Sequence, residues 1–282
     1  MAELPHRDQL EADFAKKFGR VARRHMHEFR AHLGRPADLA NVPEEFWRMI
    51  EKEAEQSSYL LLFAIFTAAA AYHGWSNKDS RLAAFGWALL QAQAFGMQWA
   101  ESTRDRLEKG IAKILNEADE GIPIERVIER VIDDRIAPPG VPIPSPPQSK
   151  EVTDAIDDLL EKTFGPSRIE REVIIETTTA RSAGAENAME IEGEISEMDI
   201  WCNPDDEATC EVCEPLIGTT RSVWIQAAPN GPPPTQSKCR CRCGISYEAD
   251  RLRDGVTNVG GWGKTEWARY WRNPEKRRRD GK

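Results

Sequence analysis

The sequence predicts a mainly α-helical chain with a small α+β module toward its C-terminal end, and three observations carry that expectation. Apolar residues recur at spacings of three and four from Leu10 to Ile132. A stretch of twelve residues, Ala137 to Gln148, holds six prolines. Beyond Glu194 the texture changes to short apolar runs broken by Asn-Pro, Gly and Pro-Asn-Gly, and all six cysteines of the chain fall there.

The first thirty residues place Leu10, Phe14, Phe18, Val21, His25 and Phe29 on one helical face, closed by Gly34 and Pro36. A second helix is expected from near Pro43 through Trp47 and Ile50 to Gly74, and a third over residues 79–118, before Gly121. The run YLLLFAIFTAAAAY, Tyr59 to Tyr72, has fourteen residues without a charge, short of the roughly 20 apolar residues that a bilayer span needs. With LAAFGWALLQAQAFGMQWA behind it, it reads as a buried helical hairpin packed through Ala and Gly, with no stable membrane association. The alternative is a hairpin that enters a membrane during a delivery event.

PIERVIERVIDD restarts the helical pattern, with Pro123 in a first turn and Ile124, Val127, Ile128, Val131 and Ile132 as its apolar stripe. The proline run that follows favours extended polyproline geometry and reads as a linker or strap. EVTDAIDDLLEKTFG is then a short helix. Ser167 to Glu170 has capping-box spacing for another, which carries the Thr177–Thr179 run, a poor helix former that tertiary context must hold. The resulting division is a helical N-terminal domain over 1–136, a proline-rich strap over 137–150, a cysteine-bearing domain of short β hairpins and helices over 151–250, and a basic tail over 251–282.

The net charge of −9 divides as −2 over residues 1–150, −13 over 151–250 and +6 over 251–282. MAELPHRDQLEADFAKK has no apolar segment behind a basic start, so it does not read as a secretory signal. The cysteines are therefore expected in a reducing compartment, which disfavours a disulfide framework.

Cys210-x-x-Cys213 presents two thiolates from one tight turn, and KCRCRCG follows with Cys239, Cys241 and Cys243. Two such clusters have the architecture of a structural zinc site, the other reading being ordinary thiols. Zinc takes four sulfurs at ~2.3 Å, which puts them under about 4 Å apart. Residues two apart on an extended strand lie roughly 6.5 Å apart, so Cys-Arg-Cys supplies two ligands only where the chain bends. Four thiolates around Zn²⁺ leave a site charge of about −2, and Lys238, Arg240 and Arg242 are spaced to offset it. All five histidines lie at or before His73, so the site is all cysteine.

The order ETTTARSAG, Trp201, DDEATCEVCEPLIG and PPTQSKCRC resembles the phage head morphogenesis family, the minor head proteins similar to protein F of phage Mu. The likeness runs from Gly121 to Cys241, less than half of the chain. It places Glu176 at that family's glutamate, Trp201 at its tryptophan, Asp206 at its aspartate, and Leu216 and Gly218 at its turn. Cys210 and Cys213 take its first cysteine pair, and Cys239 and Cys241 its second. Ile175 stands where the family has Thr and Gln236 where it has His, which leaves Cys243 and Cys202 as alternative ligands.

What the resemblance implies is a structural role. A protein of this family is present in a few copies per phage head and acts at or near the portal during capsid assembly and DNA packaging. Its partners are the portal protein and other capsid proteins, with packaged DNA as a further one. It resides in the virion, and in the host cytoplasm during assembly. The structural zinc would be held by Cys210, Cys213, Cys239 and Cys241.

The residues themselves show no nucleophile with a nearby His, no glycine-rich phosphate loop and no paired carboxylates distinct from an acidic surface, so an enzyme is not expected. Two other readings stay open. In the first, a zinc-ribbon nucleic-acid-binding protein uses the tail WARYWRNPEKRRRDGK, with Trp267, Tyr270 and Trp271 stacking on bases and Arg277, Arg278 and Arg279 meeting phosphates. The same tail also suits a capsid contact. The second is a zinc-dependent enzyme with Glu211 or Glu214 as base, against which an all-cysteine site argues.

Overall fold

The computed structural model describes residues 7–73, 78–120, 149–202, 211–229, 243–257 and 259. Its helices are α1 (Arg7–Leu33), α2 (Glu44–Tyr72), α3 (Lys78–Glu120), α4 (Lys150–Phe164) and α5 (Pro166–Ile191). There follow β1 (Ile200–Cys202), a 3-10 turn (Glu214–Leu216), α6 (Arg221–Ala227), β2 (Gly244–Ser246) and α7 (Glu248–Arg253). The chain is mainly helical with a small two-stranded antiparallel sheet.

The helix ends have local causes. Gly34 closes α1 in the left-handed region, φ 75°, where a side chain would be strained. Ser149 caps α4, its hydroxyl accepting from Val152 N at 3.3 Å. The expected capping box at Ser167 gives way to an earlier start. Pro166 opens α5, its fixed φ and missing N–H suiting the first helical position, so Ser167 lies inside the first turn. The proline-rich strap and the helix expected at PIERVIERVIDD lie outside the described residues.

The chain falls into two compact units, each discontinuous in sequence. The first takes Met1–Phe18, Glu55–Ala94 and Ile169–Lys282, and the second Gly19–Ala54 and Phe95–Arg168. Both cut across a division into 1–136 and 151–250, because α1, α2 and α3 each contribute one end to each unit.

In the second unit Phe29 packs against Phe46 and Trp47, with ring centroids 5.8 Å apart in each pair. His25 Nε2 stands 2.7 Å from Glu53 Oε2, and Arg24 pairs with the same carboxylate. Arg168 is buried with its guanidinium 4.0 Å above the Trp99 ring, donating to Ser102 Oγ at 2.7 Å, Thr103 Oγ1 at 3.0 Å and the Thr163 carbonyl at 2.9 Å.

In the first unit Leu62, Ile65 and Ala69 of α2, Ala88 and Ala92 of α3 and Ala180 of α5 form one core. The small residues allow the close helix packing that the Ala-rich sequence predicts. The threonine run of α5 is held as expected. Thr177 Oγ1 donates to Glu11 Oε1 at 2.8 Å and Thr178 Oγ1 accepts from Arg7 Nη2 at 2.8 Å, both threonines fully buried. A second core of the same unit joins Ala185 and Met189 of α5 to β1, β2, Trp224 and Tyr247, with Tyr72 of α2 packed against it. Residues before the strap and after it therefore share a core in this unit.

Among the described residues the β content is one pair of three-residue strands, and RSVWIQA, inside the stretch that reads as partly β, is helical. Arg221, Trp224 and Ala228 are buried at spacings of three and four, so the helical period wins there once Trp224 has a core to enter.

Gly184 marks a close helix approach in this unit: a Cβ there would stand 2.4 Å from the Phe66 carbonyl oxygen and 3.0 Å from its Cα. Ala ordinarily stabilises a helix interior over Gly by about 1 kcal/mol, whereas forcing packed backbones apart costs about 1–3 kcal/mol. Gly184→Ala is expected to lower the unfolding free energy in chemical denaturation; a gain would show that the two helices have room to spare.

Candidate functional site

The chain following Cys213 and the chain following Cys243 lie on either side of β1. On one edge β2 runs antiparallel to it, pairing Ile200 with Ser246, Trp201 with Ile245 and Cys202 with Gly244. On the other, Trp201 N donates to the Thr219 carbonyl at 3.0 Å, and the Trp201 carbonyl accepts from Gly218 N at 2.8 Å. Gly218, at φ 80°, provides the left-handed turn that brings this segment alongside. The chain leaving Cys213 thus borders one edge of β1 and the chain leaving Cys243 the other. With neighbouring strands about 4.8 Å apart, the two segments lie about 10 Å apart across it. Cys202, Cys213 and Cys243 are fully buried and share one core with Trp201, Trp224 and Ile245.

A buried polar frame holds this core. The Asp199 carboxylate accepts from Ser196 N at 3.0 Å, Glu248 N at 2.9 Å and Arg221 Nε at 3.3 Å, and its carbonyl accepts from Trp224 Nε1 at 3.0 Å. Burial pushes the Asp199 carboxyl up, against the pull of these donors. Arg221 stacks 4.8 Å over Trp224 and donates to Glu186 Oε1 at 2.6 Å. The Tyr247 hydroxyl donates to Glu186 Oε2 at 2.8 Å, and burial, then the Glu186 charge, drives its pKa well above the ordinary value. His73, at the end of α2, places Nδ1 3.0 Å from Asp250 Oδ2 and packs edge-on to the Tyr247 ring. Burial raises the Asp250 carboxyl, but His73 and Arg253 more than offset it and hold it below the ordinary value.

Glu176, the position matched to the family's glutamate, points into the helical core of the same unit. It is buried and accepts from Gln91 Nε2 at 3.0 Å. Burial lifts its carboxyl to about 7, the Gln91 bond opposing and the nearby Glu172 charge adding. A neutral acid in a packed helix interface is a packing element with a titratable proton.

Of the expected zinc ligands, Cys213 is described and buried, while Cys210, Cys239 and Cys241 lie outside the described residues. So do Asp206 and the tail with Trp267, Tyr270, Trp271, Arg277, Arg278 and Arg279. Among the described residues no group of three or more His, Cys, Asp or Glu side chains is arranged to hold a metal ion. The polar frame around Asp199 was missed from sequence. Its one local signal is Ser196-x-x-Asp199, in which Ser196 Oγ accepts from Met198 N at 3.1 Å while Asp199 accepts from Ser196 N, the reciprocal logic of a capping box. No family model matches the chain, and neither a curated protein nor a solved structure matches it.

Glu176 makes stability depend on pH. Its folded pKa of about 7 exceeds the ordinary 4.5, so the folded state holds the proton more tightly. That contribution is fully present below the lower value and is lost as pH rises through the upper one. Glu176→Gln is expected to remove on the order of 2 kcal/mol of the stability difference between pH 5 and pH 8, measured by urea unfolding. An unchanged pH profile would mean that the carboxylate is ionised in the folded protein.

Proposed function

We propose that the chain is a structural minor head protein of a phage, acting at or near the portal during capsid assembly and DNA packaging, with a zinc-stapled module at its C-terminal end. The observation that supports the reading is that the chain following Cys213 and the chain following Cys243 border the two edges of β1, with Cys213 and Cys243 buried in one core with it. A metal there would join two stretches of chain that lie about 10 Å apart across β1, so its four sulfurs, under about 4 Å apart, have to converge beyond the end of that strand. In this reading Cys210, Cys213, Cys239 and Cys241 hold the metal, with Cys202 and Cys243 as its buried neighbours. When bound, zinc supplies folding free energy and no chemistry of turnover. The rest of the assignment rests on the pattern ETTTARSAG, Trp201, DDEATCEVCEPLIG and PPTQSKCRC.

The function asks for a rigid surface rather than a reactive one. Asp199, Arg221, Glu186 and Tyr247 bond to one another and to backbone, so their polar atoms are consumed in holding the module. Partners in this reading are the portal protein and other capsid proteins.

Deleting the gene from its phage is expected to give unfilled or non-infectious heads, rescued by the wild-type copy and not by Cys213→Ser. The purified wild-type chain should carry about one zinc, lost in Cys213→Ser together with the cooperative unfolding of the first unit. Normal filled heads without the protein, or a turnover that vanishes on Glu176→Gln, would overturn the reading.

A further inference from the structure

We propose that the exposed row of cations along the middle of α1 is a contact surface for the phosphate backbone of double-stranded DNA, held without regard to base sequence. Lys16, Lys17, Arg20, Arg23 and His27 are exposed on this helix, while Phe14, Phe18, Ala22 and His25 turn inward and are buried. From Phe14 to His27 the sequence holds five Lys and Arg and no Asp or Glu.

The row stands out because its charges are left unpaired. On α3 Arg104 pairs with Glu108 at 2.8 Å and Lys109 with Asp105 at 2.6 Å, and on α4 Lys162 pairs with Asp158 at 2.6 Å. Arg24, beside the row, is drawn to Glu53 of α2. Lys16, Lys17, Arg20 and Arg23 make no ion pair among the described residues. Lys16 and Arg20, and again Arg20 and Arg24, stand four residues apart, where like charges weaken a helix. That repulsion has no compensation among the described residues, and a polyanion supplies it. The residues outside the described ones hold more Lys and Arg than Asp and Glu, so as a group they offer the row no net counter-charge; their densest acidic run is Asp205, Asp206 and Glu207.

Shape selects among polyanions. A helix rises ~1.5 Å per residue, so the row from Lys16 to His27 runs straight for about 16 Å. Duplex DNA carries a negative charge for every ~1.7 Å of its axis, a continuous band that such a row meets at several points. Protein surfaces intersperse both signs of charge, and an unbroken row of cations clashes with part of them. A helix lying on a bilayer pushes an apolar face into it, and the apolar face of α1 is buried inside the fold. Single strands are held by aromatic side chains that stack on bases, and no Phe, Tyr or Trp is exposed from Phe14 to His27. The net charge of −9 does not forbid the contact, because at physiological salt charges more than about 8 Å away are largely screened. The contact goes beyond the assignment to a phage head and does not depend on it.

Fluorescence anisotropy of a labelled duplex of about 24 base pairs and arbitrary sequence, titrated with the full chain between about 50 and 200 mM KCl, tests this. The wild type is expected to bind with log K falling against log salt at a slope of about −3 or steeper. Arg20→Gln together with Arg23→Gln should weaken binding by about ten-fold or more at the lower salt and flatten the slope by about 2, with the thermal midpoint unchanged or raised. The same change of charge on α3, Arg106→Gln with Lys109→Gln, should shift binding by no more than about two-fold. A wild type that binds no duplex, or a double α1 variant that binds like the wild type, overturns the proposal. So does a lowered thermal midpoint in that variant, since the row would then be held by acidic residues of the chain itself. Equal binding to poly-glutamate, lost in the same variant, overturns it in favour of an acidic protein, and equal binding to phosphatidylglycerol vesicles in favour of a bilayer. All of these outcomes are read on purified protein and are independent of zinc content and of head assembly.

Discussion

One buried carboxylate, that of Asp199, sets the conditions under which the C-terminal part of this chain can fold. An ionised carboxylate withdrawn from water without partners costs several kcal/mol, and Asp199 is fully buried. Its donors come from Ser196, three residues away, from Arg221, 22 residues away, and from Glu248, 49 residues away. None of the three suffices alone, so the turn before β1, the start of α6 and the start of α7 must all be in place together. The frame then extends outward. Arg221 and Tyr247 both bond to Glu186 of α5, and Asp250 of α7 meets His73 at the end of α2. Strands of three residues are too short to persist by themselves, and here β1 is paired on both edges and is tied to this frame through Asp199.

The consequence is that the cysteine-bearing module is no appendage. Tyr72 packs on its core, and the Ala185 and Met189 face of α5 belongs to that core outright. A metal at the cysteines would close the far side of a module whose near side is already tied to α2 and α5. The proposed structural role asks for this stiffness, because a part that mates with a portal or capsid subunit must keep its shape before the partner arrives.

The long helices were legible in the sequence because their apolar period runs for many turns. Leu10, Phe14, Phe18 and Phe29 mark the inner face of α1, and Gly34 marks its end by simple backbone chemistry. What periodicity could not convey is which ends of α1, α2 and α3 gather into which unit, since a stripe names a buried face and not its partner. Trp224 shows a second limit. A β-branched and aromatic run of seven residues carries both periods, and only the core around Trp201 decides for helix. The candidate site was half legible. Cys213 announced itself by spacing, whereas Asp199, Arg221 and Glu186 look like solvated charges until the chain brings them together. His73 and Asp250 are 177 positions apart, beyond the reach of any local pattern.

Native-state hydrogen exchange tests the central claim most directly, that the β1–β2 module and the α2–α5 core form one cooperative body organised by Asp199. The account predicts that the amides of Trp201 and Ile245 open with the same free energy as those of Leu62 to Ala70, and that Asp199→Ala lowers both sets together. Protection of α2 that survives while the β1–β2 amides exchange through a separate, much cheaper opening would contradict it.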